Sequence, residues 1–122
     1  MYAHDDVLDG GPDFVVAEGT ALWLCNAEPD TYTEATSTFA LGSKATPSLS
    51  NVNGAVDGRA AQCAAFTDGA VSATGTASHW AIVDTAATQL LVAGALSASQ
   101  SVTNGNPFSF NQFNAYTVRD PA

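Results

Sequence analysis

Two stretches of this chain carry side chains that could do chemistry, and the first lies between positions 78 and 84. It holds Ser78, His79 and Asp84, the side-chain types of a hydrolytic triad, beside Trp80. Neighbouring side chains of a strand point to opposite faces, so Ser78 and Trp80 are predicted on one face and His79 on the other. Consecutive strand residues then cannot pair as nucleophile and base. We predict a hairpin in which Trp80 packs, His79 is half-buried or at an interface, and Asp84 accepts backbone hydrogen bonds in the turn.

The second stretch is the acidic N-terminus, which groups His4, Asp5, Asp6, Asp9 and Asp13. A calcium loop needs oxygen ligands at alternating positions, a tight glycine turn and usually a bidentate glutamate, and this spacing matches that pattern only loosely. The sequence contains no phosphate-binding glycine loop and no HExxH, GxSxG or CxxC motif. We therefore predict no metal, no cofactor and no catalytic centre, and favour a binding or structural module over an enzyme.

The charge of the chain restricts its partners. The 122 residues include twelve acids and three bases, and the first 34 residues hold eight of the acids and none of the bases. Such a surface repels phosphate backbones, so we expect no nucleic-acid partner. An acidic first third could dock on a basic partner, or it could be a solvated face that keeps the protein soluble. No apolar run approaches the length of a membrane span, so we expect no membrane association and no secretion signal.

The elements that would position these groups are mostly strands. Pro12 allows either two short turns or a helix that begins at Pro12 and stops at Gly19. Residues 21–25 form an apolar run of strand length, and 31–58 form a polar excursion with one short strand and then a long exposed loop over 43–58. From Arg59 onward, strand signals recur every 8 to 12 residues between short polar turns.

This spacing predicts a mainly β, single-domain antiparallel β-sandwich or barrel over residues 1–122, with residues 1–19 as an N-terminal arm or short helix. In the last strand, Phe108 and Phe110 are expected to face inward, followed after a one-residue slip by Phe113 and Ala115, which suggests a bulge. Cys25 and Cys63 lack metal-ligand spacing. We expect two buried thiols in neighbouring strands, with a disulfide as the alternative.

Several segments resemble one family. SATGTASHWAIVD (72–84), LLVAGALSAS (90–99), the turn SVTNGN and the closing FSFNQF look like the C-terminal half of small β-rich virion proteins of tailed bacteriophages. Those proteins have a strand of the form G-T-A-x-H-[WF]-x-[ILV]-x-D, then a hairpin and a last aromatic strand. HDDVLDGGPDF (4–14) and TYTEATSTFALGSK (31–44) resemble their N-terminal helical element and the excursion after it. In similar proteins the first helix continues where Gly10, Gly11 and Pro12 stand here.

The resemblance implies a virion structural protein and, within that class, favours a head decoration or cement protein. Such a protein would be made in the host cytoplasm and would sit on the capsid surface, bound to the major capsid protein and self-associating on the lattice. Binding the mature lattice would stabilise it by mass action over many sites. The residues expected to contact the capsid are Tyr2, His4, Asp5, Asp6, Asp9, Lys44, Asn51 and Asn53, from the N-terminus and the loop over 43–56.

Two alternatives remain open at this point. The chain could be a head-tail connector or a tail component, which would be present in few copies. It could instead be a glycan- or receptor-binding β-sandwich in which Trp23, Tyr32 or Trp80 stacks on a sugar. Against the second alternative, both tryptophans lie within apolar or strand segments, where aromatic side chains more often belong to the core.

Overall fold

Strands dominate the computed structural model, which describes residues 2–3, 12–53 and 59–118. The helical elements there are α1 (Pro12–Glu18) and a π-helical turn (Glu34–Thr38). The strands are β1 (Tyr2–Ala3), β2 (Ala21–Cys25), β3 (Ala40–Ala45), β4 (Leu49–Asn53), β5 (Arg59–Cys63), β6 (Phe66–Val71), β7 (Gly75–Asp84), β8 (Gln89–Val102), β9 (Pro107–Phe110) and β10 (Phe113–Val118).

The strands form two antiparallel sheets. Seven strands in the order β1-β8-β7-β2-β3-β6-β9 curl into a half-barrel, and three strands in the order β10-β5-β4 form a second sheet. The longest hairpin joins β7 to β8, which lie between β1 and β2 in the large sheet. The predicted fold class, mainly β with a short N-terminal helix, is confirmed.

Helix α1 begins and ends at the residues that the sequence indicates. Pro12 is its first residue, where a missing N–H costs nothing because that group has no partner inside the helix. Gly19 follows its last residue, and the Gly19 amide donates to the Val15 carbonyl at 2.9 Å. Val15 is fully buried, and the helix packs against β4 and β5. The helix thus links the second sheet to the core of the half-barrel.

The large sheet is covered by apolar groups on both faces. Its inner face contributes Leu22, Leu24, Trp80, Ile82 and Leu91 to a core shared with α1 and the second sheet. Its other face carries Cys25, Ala81, Val83, Leu90 and Ala93, against which Trp23, Tyr32, Ala35 and Phe39 pack. Much of this second cluster is alanine, so the layer is thin. The segment 26–39, which contains the π-helical turn, supplies part of its cover.

Two glycines make room for aromatic rings across the sheet. Gly94 lies opposite Trp80, and a Cβ atom at Gly94 would come within 2.7 Å of the indole. Gly69 lies opposite Phe108, where a Cβ atom would come within 2.5 Å of the ring. In both pairs a large ring covers the backbone of a residue without a side chain, which is a known way to stabilise glycine in a sheet.

The exposed loop predicted over 43–58 is wrong where the structure describes it. Residues 43–45 end β3, and Leu49–Asn53 forms β4, which pairs with β5 from Leu49↔Cys63 to Asn53↔Arg59. Strands pair through hydrogen bonds between backbone groups, and the strand preference of a side chain depends strongly on its context. A polar segment can therefore form a strand when a partner strand lies beside it. Residues 54–58, with the turn predicted there, lie outside the described part of the chain.

The last predicted strand divides into two. Residues 107–110 form β9 in the large sheet, while Phe113–Val118 forms β10 in the small one, so the chain crosses between sheets at 111–112. The inward orientation is confirmed, since Phe108 and Ala115 are buried and Phe110 and Phe113 pack against the same core. A register shift does occur, but it falls between Asn114 and Tyr116, within β10.

The two cysteines are buried and free, but they are not neighbours. Cys25 lies in β2 and Cys63 in β5, which belong to different sheets and different clusters of the core. Burial raises the pKa of the Cys25 thiol to about 12. Burial also raises the pKa of Cys63, partly opposed by the charge of Lys44. Both side chains therefore behave as small apolar groups.

Candidate functional site

Ser78 and His79 lie in contact, contrary to the prediction from strand alternation. Ser78 Oγ is 2.8 Å from His79 Nδ1. The cause is a register shift, because Ala77 pairs with Gln100 whereas His79 pairs with Ala95. Ala77 and Trp80 both belong to the inner core, so the two residues between them fall outside it together. The prediction that Ser78 shares a face with Trp80 is therefore wrong.

The imidazole also faces a carboxylate. His79 Nε2 is 3.8 Å from Glu28 Oε2, and the side chains are 22% and 42% exposed respectively. The hydroxyl, imidazole and carboxylate stand in the order of a triad, but 3.8 Å is too long for a hydrogen bond between ring and carboxylate. The cluster thus places His79 of β7 beside Glu28 in the segment after β2.

The other predictions for this hairpin are confirmed. Trp80 is 7% exposed and packs on Phe113, with ring centroids 4.9 Å apart. His79 is half-buried, and Asp84 Oδ1 accepts the amide of Ala87 at 3.2 Å in the turn that joins β7 to β8. Trp80 is thus mainly a core residue, as its position inside a strand predicts.

The residues predicted to contact a capsid are distributed over both sheets. Tyr2 lies in β1, which pairs with the edge of β8 through Tyr2↔Ala93. Asn51 and Asn53 lie in β4, the edge strand of the small sheet, and pair through their backbones with β5. His4, Asp5, Asp6 and Asp9 lie outside the described residues. The structure therefore does not bring the described members of this set together as one cluster.

Lys44, the remaining member, is occupied within the protein. Its side chain is 19% exposed, and Nζ lies 3.1 Å from Asp68 on the neighbouring strand β6. The same ammonium lies 5.9 Å from the centre of the Phe66 ring, which adds a cation–π contact. This ion pair holds Lys44 against its own sheet.

Acidic side chains cluster in the segment after β2. Glu28 and Asp30 are exposed, and Glu34 is half-buried. Glu34 Oε1 accepts the Asp30 amide at 2.8 Å, while the Glu34 amide donates to Thr31 Oγ1 at 3.1 Å. These reciprocal bonds resemble a capping box and fix the start of the short helical segment after them. The segment is thus an ordered acidic surface.

Sequence reasoning missed a groove between β8 and β9. These strands run antiparallel and are joined by only four residues, 103–106, yet β8 pairs with β7 and β1 while β9 pairs with β6. They therefore diverge from their common turn and leave an open groove of about 960 Å³ between them. Val71 anchors the turn, because its carbonyl accepts from Gly105 and its amide donates to Asn106, both at 2.9 Å.

The groove is uncharged and aromatic. Within residues 2–3, 12–53 and 59–118, eighteen residues line the groove and none of them is ionisable, although the chain has twelve acids. Its apolar part comes from Trp80, Phe108, Phe110, Phe113, Leu96 and Val102, of which Phe110 and Phe113 are half-buried. Exposed serine, asparagine and glutamine side chains surround them: Ser97, Gln100, Ser101, Ser109, Asn111, Gln112 and Asn114. The sequence did not predict this groove, because its neutral polar residues form no recognisable motif and come from strands that are brought together only by the fold.

In residues 2–3, 12–53 and 59–118, no group of three or more His, Cys, Asp or Glu side chains could hold a metal ion, and no helix there is long and apolar enough to cross a membrane. No protein-family model, no curated protein and no solved structure matches this chain.

Proposed function

We propose that this chain is a structural protein of a tailed-bacteriophage virion, a decoration protein that binds the outside of the assembled capsid and stabilises it. The observation that carries the proposal is the correspondence between the resembling motif and complete structural elements. The segment GTASHWAIVD coincides with β7 from Gly75 to Asp84, a four-residue turn and β8 come next, and the last aromatic residues form β9 and β10.

Four motif residues make contacts that shape or position that hairpin. A Cβ atom at Gly75 would come within 3.0 Å of Leu41, and Asp84 closes the turn to β8. His79 of β7 lies 3.8 Å from Glu28 in the acidic segment, and Trp80 covers Gly94. These motif residues serve the framework of the hairpin and not a reaction centre. They therefore support a function that the protein performs through its surface, such as docking on a capsid lattice.

The acidic segment supplies a contact surface for that docking. Glu28 and Asp30 are exposed on a segment that hydrogen bonds hold in place, so the carboxylates are presented without ordering a flexible loop. The net charge of −9 favours association with a basic patch on the capsid protein. The edge of β8, on which β1 already lies, places the N-terminal strand at the margin of the large sheet.

Many weak contacts suffice for this function. A protein that binds the mature lattice but not its alternatives stabilises the lattice in proportion to the number of occupied sites. Affinity for a single site can then be modest, because hundreds of sites act on one shell.

The test is to titrate the protein onto capsids of its phage that were assembled without it, and to measure bound protein and shell melting. We expect saturable binding, a raised melting temperature and weaker binding as salt increases, since exposed charges are screened. Glu28→Gln with Asp30→Asn should weaken binding severalfold, whereas the matched variant Asn104→Asp, in the turn between β8 and β9, should not. Capsids that bind no protein and melt unchanged would contradict the proposal.

A further inference from the structure

We propose that the groove between β8 and β9 binds a neutral oligosaccharide chain. This site is separate from the acidic segment and does not depend on where in a particle the protein sits. It also differs from the sugar contacts expected from sequence, because Trp23 and Tyr32 pack on the opposite face of the large sheet and the groove uses Phe110 and Phe113.

The groove is formed before any ligand arrives. Its closed end is held by the two Val71 hydrogen bonds and by the Asn104 amide, which donates to Thr74 Oγ1 at 3.0 Å. Its aromatic side is held by ring contacts, since Phe110 stacks on Phe66 with centroids 5.4 Å apart and approaches Phe113 at 5.7 Å. A site that is already ordered loses little conformational entropy on binding.

An added β-strand fits this groove less well than a ligand recognised by side chains. Two diverging strand edges would accept a strand only if their N–H and C=O groups were free and regularly spaced. The β8 edge is irregular, because four residues lie between Ala95 and Gln100 where β7 has one. The β9 edge begins with Pro107, which has no N–H group. Bulges and prolines are the features by which sheet edges avoid strand addition.

The side chains of the groove match the two surfaces of a sugar ring. Phe110 and Phe113 are half-buried and line the groove, so the part of each ring that remains exposed offers apolar surface to the C–H groups of a pyranose. Exposed amides and hydroxyls, including Asn111, Gln112 and Ser109, both donate and accept hydrogen bonds, as sugar hydroxyls do. The lining residues that the structure describes include no cationic side chain, and the net charge of the chain is −9, so the groove is expected to disfavour anionic sugars.

The test uses the full chain with maltohexaose, cellohexaose, chitohexaose and mannohexaose as neutral probes, and an alginate hexamer as the anionic one. Binding is measured by calorimetry and by amide chemical shifts. We expect at least one neutral hexasaccharide to bind and to shift amides of β8 and β9. Phe110→Ala should abolish that binding, and Asn111→Ala with Gln112→Ala should weaken it about tenfold or more, equivalent to about 1.4 kcal/mol. Tyr32→Ala, on the opposite face, is the matched control and should keep the affinity.

If Phe110→Ala does not fold, the double variant Asn111→Ala with Gln112→Ala tests whether the groove binds the sugar, because both side chains are exposed and their removal should not affect folding. No binding of any neutral probe at about 10 mM would overturn the proposal, as would binding that groove variants leave unchanged. Binding of the alginate hexamer alone would also overturn it. Self-association that Ser97→Tyr abolishes would assign the groove to a second copy of the chain instead. Capsid titrations with the same variants keep this result separate from the proposed function, because capsid binding is expected to survive them.

Discussion

A single methyl group at Gly94 should destabilise the protein measurably. The Cβ atom of Gly94→Ala would stand 2.7 Å from Trp80 Cζ2 and 3.0 Å from Cε2, closer than carbon atoms can pack. The indole is 7% exposed, and its packing on Phe113 restricts its movement away from position 94. Overpacking of this kind costs about 1 to 3 kcal/mol. At about 4 °C per kcal/mol for a domain of this size, the melting temperature should fall by roughly 4 to 12 °C.

The assay is thermal and urea unfolding of wild type, Gly94→Ala, Trp80→Phe and the double variant. A phenyl ring lacks the Cζ2 and Nε1 atoms, so Gly94→Ala should cost less in the Trp80→Phe background than in wild type. The coupling free energy from this cycle should be about 1 kcal/mol or more. If Gly94→Ala melts at the wild-type temperature, or if the two changes are additive, the packing of Trp80 over Gly94 is not as described.

Three other positions give further predictions. Thr88 has a positive φ of 52°, a backbone conformation that strains a β-branched residue. Thr88→Gly should therefore raise the free energy of unfolding by about 0.5 to 1 kcal/mol, whereas the control Ala86→Gly in the same turn should lower it. If urea unfolding shows the same effect for both variants, Thr88 is not strained. The pKa of Cys25 is raised from 9.0 to about 12, so the unfolded state loses its proton first and stability should fall between these pH values by up to about 1.4 kcal/mol per pH unit, a slope that Cys25→Ala should reduce in reducing buffer. Lys44→Met should change the free energy of unfolding by less than about 1 kcal/mol, because its partner Asp68 is 70% exposed and the ion pair is weak. The same variant should leave capsid binding unchanged. A large loss of capsid affinity would instead show that Lys44 contacts the capsid.

Much of the framework could be predicted from local sequence signals. Pro12 and Gly19 bound α1 because proline suits the first helical turn and glycine suits its end. The apolar run 21–25 forms β2, and Asp84 marks the turn after β7. These features depend on residues within a few positions of each other, which is the range over which sequence patterns are informative.

The remaining features depend on which strands pair. β4 has a polar sequence and forms because β5 lies beside it. Ser78 meets His79 because β8 has extra residues opposite β7, and the run 107–118 divides because its halves join different sheets. The groove arises because β8 and β9 do not pair with each other. None of these outcomes is specified by residue type at the positions concerned, so periodicity could not reveal them.

The number of copies bound per particle at saturation tests most directly whether the protein coats a capsid. Capsids assembled without the protein would be incubated with an excess of it, purified, and analysed by quantitative mass spectrometry against the major capsid protein. The proposal predicts hundreds of copies per shell, in fixed ratio to the capsid subunits. A handful of copies would instead place the protein at a vertex or in the tail, and no bound copies would contradict a capsid role altogether.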